Sequence, residues 1–250
     1  MNDRIVLKTP EEIDRMREAG RLLREVMDII FSAVEPGVTT LEIDRLARSE
    51  VEKRKAKPAF LGLYGFPGTV CISVNEQIVH GIPSERRLQQ GDIVSLDIGL
   101  IHDDFYADAA RTLPVGRIDA DNHKLLEVTE GALDIATQQL RPGRRLGDLS
   151  SAVQKYVESN GLSVVREYTG HGIGRRLHEE PKIPNHGEAG RGIRWKSGMV
   201  VCVEPMVNLG SHETLTLEDN WTVVTKDGSR SAHMENTIAI TEDGPEVLTA

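Results

Sequence analysis

Cysteine is scarce in this chain. The two present, Cys71 and Cys202, stand far apart. That excludes a disulfide framework and any zinc site built on closely spaced cysteine pairs, and it fits a reducing cytosol. An excess of positive charge is also missing. The formal net charge is -9, which argues against non-specific nucleic-acid binding, so no direct nucleic-acid partner is expected. Long apolar runs are absent: the stretch Met199 to Val203 stops at Glu204, far short of the roughly 20 residues that span a bilayer. The opening Met1 to Lys8 has no apolar signal-peptide core. A soluble cytoplasmic protein without a membrane partner is the expectation. No linker or low-complexity tract interrupts the 250 residues. A chain of that length can bury a sizeable core, so a single domain over 1–250 is expected.

What is present begins with helices. Thr9-Pro10-Glu11-Glu12 reads as an N-cap, a proline at the first helical position and a capping glutamate. Ile13, Met16, Ala19, Leu23, Met27 and Ile30 then recur at helical spacing until Pro36-Gly37. A second helix is predicted from about Thr40 to Lys53. Moving 106 residues along sets Pro36-Gly37 on Pro142-Gly143, Ile43 on Leu149, Val51 on Val157 and Glu52 on Glu158. Chance likeness between two amphipathic helix pairs is one explanation. An internal duplication is the other, favoured by the gapless agreement, with halves at about 10–115 and 116–245. Strands are predicted at Val70–Val74, Ile93–Ile98, Leu162–Tyr168, Val200–Val203, Trp221–Thr225 and His233–Ile240. Helices followed by strands in each half indicate an α+β fold.

An acidic balance can mean solubility alone, or carboxylates gathered around cations. Position decides. Carboxylates and histidines in apolar strand contexts are costly unless paired or bound to metal. Asp97 shares strand parity with Ile93 and Ser95, leaving Val94, Leu96 and Ile98 to pack. Asp108 follows eleven positions on, a gap that suits an antiparallel hairpin. His171 sits in Gly170-His171-Gly172-Ile173-Gly174, where glycines permit close backbone approach. Glu204 follows the apolar strand before Pro205, and Glu235 lies in Met234-Glu235-Asn236-Thr237-Ile238. Singly, each has an ordinary explanation as a turn former, a loop histidine or a return to solvent. Together they form an oxygen-rich set with one imidazole, whose negative charge two divalent cations would balance.

This ordered set, with Val74-Asn75-Glu76, His80-Gly81-Ile82-Pro83, His178-Glu179-Glu180-Pro181 and Glu204-Pro205, resembles the methionine aminopeptidases, of the bacterial type I. Lys182 in place of a histidine rules out a zincin H-E-x-x-H motif. The resemblance covers nearly the whole chain. It implies the pita-bread fold, a central antiparallel sheet covered by helices with internal pseudo-twofold symmetry. It implies Asp97, Asp108, His171, Glu204 and Glu235 as ligands of two divalent ions, the sites being filled variously by cobalt, manganese, iron or zinc across the family. It further implies Glu204 as proton shuttle, His178 as hydrogen-bond partner of the scissile carbonyl, and His80 as a contact to the amide nitrogen. The methionine pocket maps onto Leu63, Phe66, Cys71, Leu177 and Trp221. Two of these depart from the family, which often carries Tyr at the position of Phe66 and Phe at that of Leu177, so the pocket shape can differ.

The activity implied is removal of the first methionine from nascent polypeptides and peptides with a small second residue, by a monomer that meets its substrates at the ribosome. Two alternatives stand beside it. An X-Pro aminopeptidase or prolidase shares the ligand pattern but usually carries an extra N-terminal domain. A non-enzymatic binding protein on the same fold would be expected to lose ligands, and all five are present.

Overall fold

Helix α1 (Pro10–Ser32) begins where the sequence places it: the Thr9 hydroxyl accepts the Glu12 N–H, and the Glu12 carboxylate accepts the Thr9 N–H. Both first-turn donors are thereby satisfied. Helix α2 (Thr40–Lys53) repeats the device with Thr39 and Glu42. The computed structural model describes residues 5–250. Met1–Arg4, part of the stretch read as lacking a signal-peptide core, lie outside the described residues. Among the described residues no helix is long and apolar enough to cross a membrane.

Helices α3 (Ala120–Gln139) and α4 (Leu146–Ser159) form the second pair, and α4 coincides with α2 shifted by 106 residues. The turns ahead of both repeat in detail. Gly37 and Gly143 take φ of 99° and 89°, a left-handed conformation that favours glycine. Gly37 donates to the Leu88 carbonyl and Gly143 to that of Trp195. Arg87 returns a hydrogen bond to Gly37 O and Arg194 to Gly143 O, each 2.6 Å. The gapless register between the two helix pairs therefore has a matching geometry at both turns.

Each helix pair covers one sheet. The strands Val70–Val74, Ile93–His102 and Phe105–Pro114 lie side by side and antiparallel, and a short strand at Lys57–Pro58 pairs with the far end of Ile93–His102 on the same side as Val70–Val74. Ala19, Leu23, Met27, Ile43 and Val51 pack against Val94, Leu96, Ile98, Ala107 and Ala109 of their outer face. In the second half five strands run Gly244–Val247, Asn236–Thr241, Val200–Val203, Thr169–Gly172, Glu179–Pro184. Leu125, Ala132, Leu149 and Val153 pack against Val201, Val203, Ile238 and Ile240. Strand alternation leaves the opposite faces of both sheets turned inward.

Three predicted strands are shorter or broken. Leu162–Tyr168 keeps only Ser163–Val164, which pairs with Met206–Asn208 before the chain bends to a new partner at Thr169. Trp221–Thr225 begins at Val223, because the Asp219 carboxylate captures the N–H groups of Trp221 and Thr222 in a turn. His233–Ile240 divides into Ser231–His233 and Asn236–Thr241. Between them Glu235 bridges to Ala110, each N–H bonding the other residue's carbonyl. That bridge joins the two sheets.

Candidate active site

Two rows of side chains cross this junction. In the first, Cys71 lies opposite Asp97, Asp97 opposite Ala110, and Ala110 opposite Glu235. Directly opposed residues of antiparallel strands share a face, so the small Ala110 separates two carboxylates on the inward side. In the second row His171 lies opposite Cys202 and Cys202 opposite Thr237. The Thr237 hydroxyl accepts the Asp108 N–H at 3.0 Å and donates to its carbonyl at 2.8 Å. The predicted hairpin is present, turning at Asp103-Asp104 with Gly99 opposite Asp108. Asp97 and Asp108 thus sit diagonally on one face.

All five predicted ligands line a single cavity of about 300 Å³. His171 Nε2 lies 3.8 Å from Asp108 Oδ2 and 3.7 Å from Glu204 Oε1. The His171 Nδ1–H donates to the Gly172 carbonyl at 2.9 Å, which leaves the Nε2 lone pair facing those carboxylates. The flanking glycines are required by close packing: a Cβ on Gly170 would meet Cys202 O at 2.4 Å, and one on Gly172 would meet Glu180 O at 2.2 Å. Glu204 follows the strand Val200–Val203 and precedes Pro205, and its carbonyl accepts the Asn185 amide N–H at 2.9 Å.

Among the described residues no charged side chain balances the negative charge this group carries when ionised. Burial first, then mutual repulsion, pushes Asp108 and Glu204 well above the carboxylate range. Glu235 rises for the same reasons, with Glu204 and Asp97 as the repelling neighbours. Burial alone raises Asp97 to about 7. His171 falls to about 4, chiefly through burial, so its imidazole is neutral and supplies no balancing charge. Arg111 is near, yet its guanidinium bonds the Glu235 carbonyl and Asn236 Oδ1 rather than a carboxylate. Asp97 Oδ1, Asp108 Oδ1 and Glu235 Oε1 are buried without a hydrogen-bond partner in the protein. Oxygens so placed, beside an unprotonated imidazole nitrogen, fit divalent metal ions.

Cys202 was not foreseen here. Its Sγ lies within 4.8 Å of donor atoms of Asp108, His171 and Glu235. Burial and the surrounding carboxylates raise its thiol well above the usual range, and it shares a 3.5 Å contact with Thr237 Oγ1. The thiol is thereby held protonated, the form that binds metal poorly.

The rest of the predicted site lines the same cavity. His80 and His178 stand beside the carboxylates, and Leu63, Phe66, Cys71, Leu177 and Trp221 form an apolar end. Phe66 and Trp221 meet edge to face at 5.2 Å. His178 packs edge-on to His171 at 4.6 Å, and His80 stands between Tyr168 and Trp221. Burial lowers both His80 and His178, keeping them neutral near pH 7. Phe60 and the exposed Tyr64 also line the cavity; neither carried a sequence signal beyond its neighbours. Tyr64 holds φ of 51° between Gly62 and Gly65.

The chain belongs to metallopeptidase family M24, which residues 14–242 match. Methionine aminopeptidase 1 of Bacillus subtilis (strain 168) is 51% identical over 245 residues, covering 98% of this chain and 99% of that protein. The crystal structure of methionine aminopeptidase from Rickettsia prowazekii superposes with a TM-score of 0.97 at 42% identity, covering 99% of this chain and 100% of that one. Within the family the chain therefore stands among the methionine aminopeptidases. Prolidase from Pyrococcus furiosus shares the fold, with a TM-score of 0.81 at 24% identity, and this chain covers 65% of that longer one.

Proposed function

We propose that the protein hydrolyses the bond after an N-terminal methionine, using two divalent ions held by Asp97, Asp108, His171, Glu204 and Glu235. The observation that carries this is one cavity with two ends: four buried carboxylates around a neutral imidazole, and an apolar chamber beside them. When bound, the ions supply Lewis acidity and make water nucleophilic near neutral pH. The apolar end takes the flexible thioether side chain. Leu63, Phe66, Cys71, Leu177 and Trp221 bound it, and Leu177 leaves more room than a ring would. His178 donates to the scissile carbonyl oxygen and stabilises the charge that develops there. His80 contacts the amide nitrogen that leaves. Glu204 accepts the proton of the attacking water and returns it to that nitrogen.

We read the chain as one catalytic domain of two related halves, about 10–115 and 116–245. It acts as a cytoplasmic monomer on polypeptides emerging from the ribosome, and the ions are cobalt, manganese, iron or zinc. The test is a panel of short peptides with purified, metal-loaded protein. Met-Ala-Ser should be cleaved at least about ten-fold faster than Met-Lys-Ser, a discrimination on the scale of one side chain in a confined site. Equal rates would remove the claim of a small second residue. Preference for Ala-Pro peptides would replace this reading with the prolidase-like one.

A further inference from the structure

His178 makes no side-chain hydrogen bond among the described residues. Apart from its edge-on contact with the His171 ring, its position is therefore set by the backbone of the segment that carries it, residues 173–179. One side of that segment is tied to the Asp108 hairpin: Tyr106 donates to the Gly174 carbonyl at 2.9 Å, and the Arg175 guanidinium lies 4.4 Å over the Phe105 ring. The other side, next to His178, is tied to the start of the chain. Lys8 Nζ lies 2.7 Å from Glu179 Oε2, and the two side chains are only 4% and 7% exposed. The Lys8 N–H donates to the Gly198 carbonyl at 2.7 Å, so the lysine is itself fixed beside the second sheet. The remaining oxygen of Glu179 accepts the Arg176 N–H at 3.2 Å, closing the loop onto its own carboxylate. Room for the pair exists because residue 174 is glycine: a Cβ there would lie 2.5 Å from Lys8 Cε and 2.8 Å from Glu179 Oε1.

A buried ion pair contributes little to net stability, because desolvation offsets the attraction. What it supplies is a fixed geometry. We infer that Lys8 and Glu179 are positioning residues, a clip that sets the His178 ring against the scissile carbonyl. This rests on the role given to His178 above. Misplacing a catalytic donor by about an ångström can cost up to about a hundred-fold in rate, so the clip acts on turnover rather than on binding.

The test compares wild type, Lys8→Met, Glu179→Gln, His178→Ala and the double variant Lys8→Met/His178→Ala, each full-length and metal-loaded, on Met-Ala-Ser. Lys8→Met and Glu179→Gln should lower kcat about ten-fold or more, while KM and bound metal stay within about two-fold. The double variant should be no slower than His178→Ala alone, because a residue acting only through His178 has nothing left to act on. If Lys8→Met slows the His178→Ala protein by the same factor as wild type, the clip is wrong and Lys8 is merely structural. The clip also fails if His178→Ala is slow while Lys8→Met keeps wild-type kcat. Wild-type turnover in His178→Ala itself would instead overturn the role of His178. Should Lys8→Met not fold, the near-isosteric Glu179→Gln decides. Its His178 ring signals in histidine-selective NMR should shift while those of His80 do not, and unchanged His178 signals would count against the proposal.

Discussion

At the scale of single residues, the carboxylates of the cavity set how the protein responds to acid and to chelators. Asp97 is raised to about 7 in the fold, against roughly 3.9 in an unfolded chain. A raised group contributes stability that is fully present below its unfolded pKa and is lost as pH rises through its folded value. Asp108, Glu204 and Glu235 are raised in the same direction. Stripped of metal with EDTA, the protein should therefore melt at progressively higher temperature as pH is lowered from about 8 toward about 5. Divalent ions added near pH 7 should raise the melting temperature by mass action, since ionised carboxylates are the form that binds them. A metal-free melting temperature that falls steadily with acid over this range would contradict the charge arrangement. Asp97→Ala and Glu204→Ala should each abolish peptide cleavage and reduce bound metal while leaving far-UV circular dichroism unchanged. Wild-type turnover in either, after metal re-supply, would remove that residue from the ligand set.

At the scale of elements, helix ends were the most legible feature of the sequence. Thr9 and Thr39 with Glu12 and Glu42 satisfy local N–H groups, and local chemistry is written in local sequence. Thr39→Ala should cost about 1 kcal/mol in urea unfolding, the ordinary worth of a cap, with kcat unchanged. Strands were less legible, because their limits depend on distant partners. Nothing near Glu235 announces that it leaves one strand to bridge Ala110, 125 positions upstream. The five candidate ligands stand out because polar residues in apolar strands are anomalous on their face. Cys202 and Lys8 carried no site signal for the opposite reason. A cysteine in an apolar run and a lysine ahead of a helix both look ordinary, and only tertiary contact gives them a place. Fold class and the helix repeat followed from periodicity, whereas the roles of His80 and His178 came only with the family resemblance.

At the scale of the whole molecule, the cavity lies where the sheet under α1 and α2 meets the sheet under α3 and α4. Asp97 and Asp108 come from the first, and His171, Glu204 and Glu235 from the second. Arg111 fastens the junction by donating to the Glu235 carbonyl and Asn236 Oδ1. Arg111→Leu should lower stability by about 2–3 kcal/mol, the worth of a charged hydrogen bond lost together with an acceptor left unpaired. It should also weaken metal binding, as measured by competition with a chelator. Unaltered metal affinity in that variant would show that the junction holds its register without the arginine.

The row Cys71, Asp97, Ala110, Glu235 is assembled from strands remote in the chain. No chain with only one sheet organised presents the whole candidate donor set, so cations bound there would favour the finished structure over every earlier species. Ions that join after the rate-limiting step slow the departure from the native state and leave its approach unchanged. Stopped-flow refolding and unfolding with and without manganese should therefore share one refolding limb and differ in the unfolding limb, and a refolding rate that climbs with manganese would mean that the halves meet before the barrier is crossed.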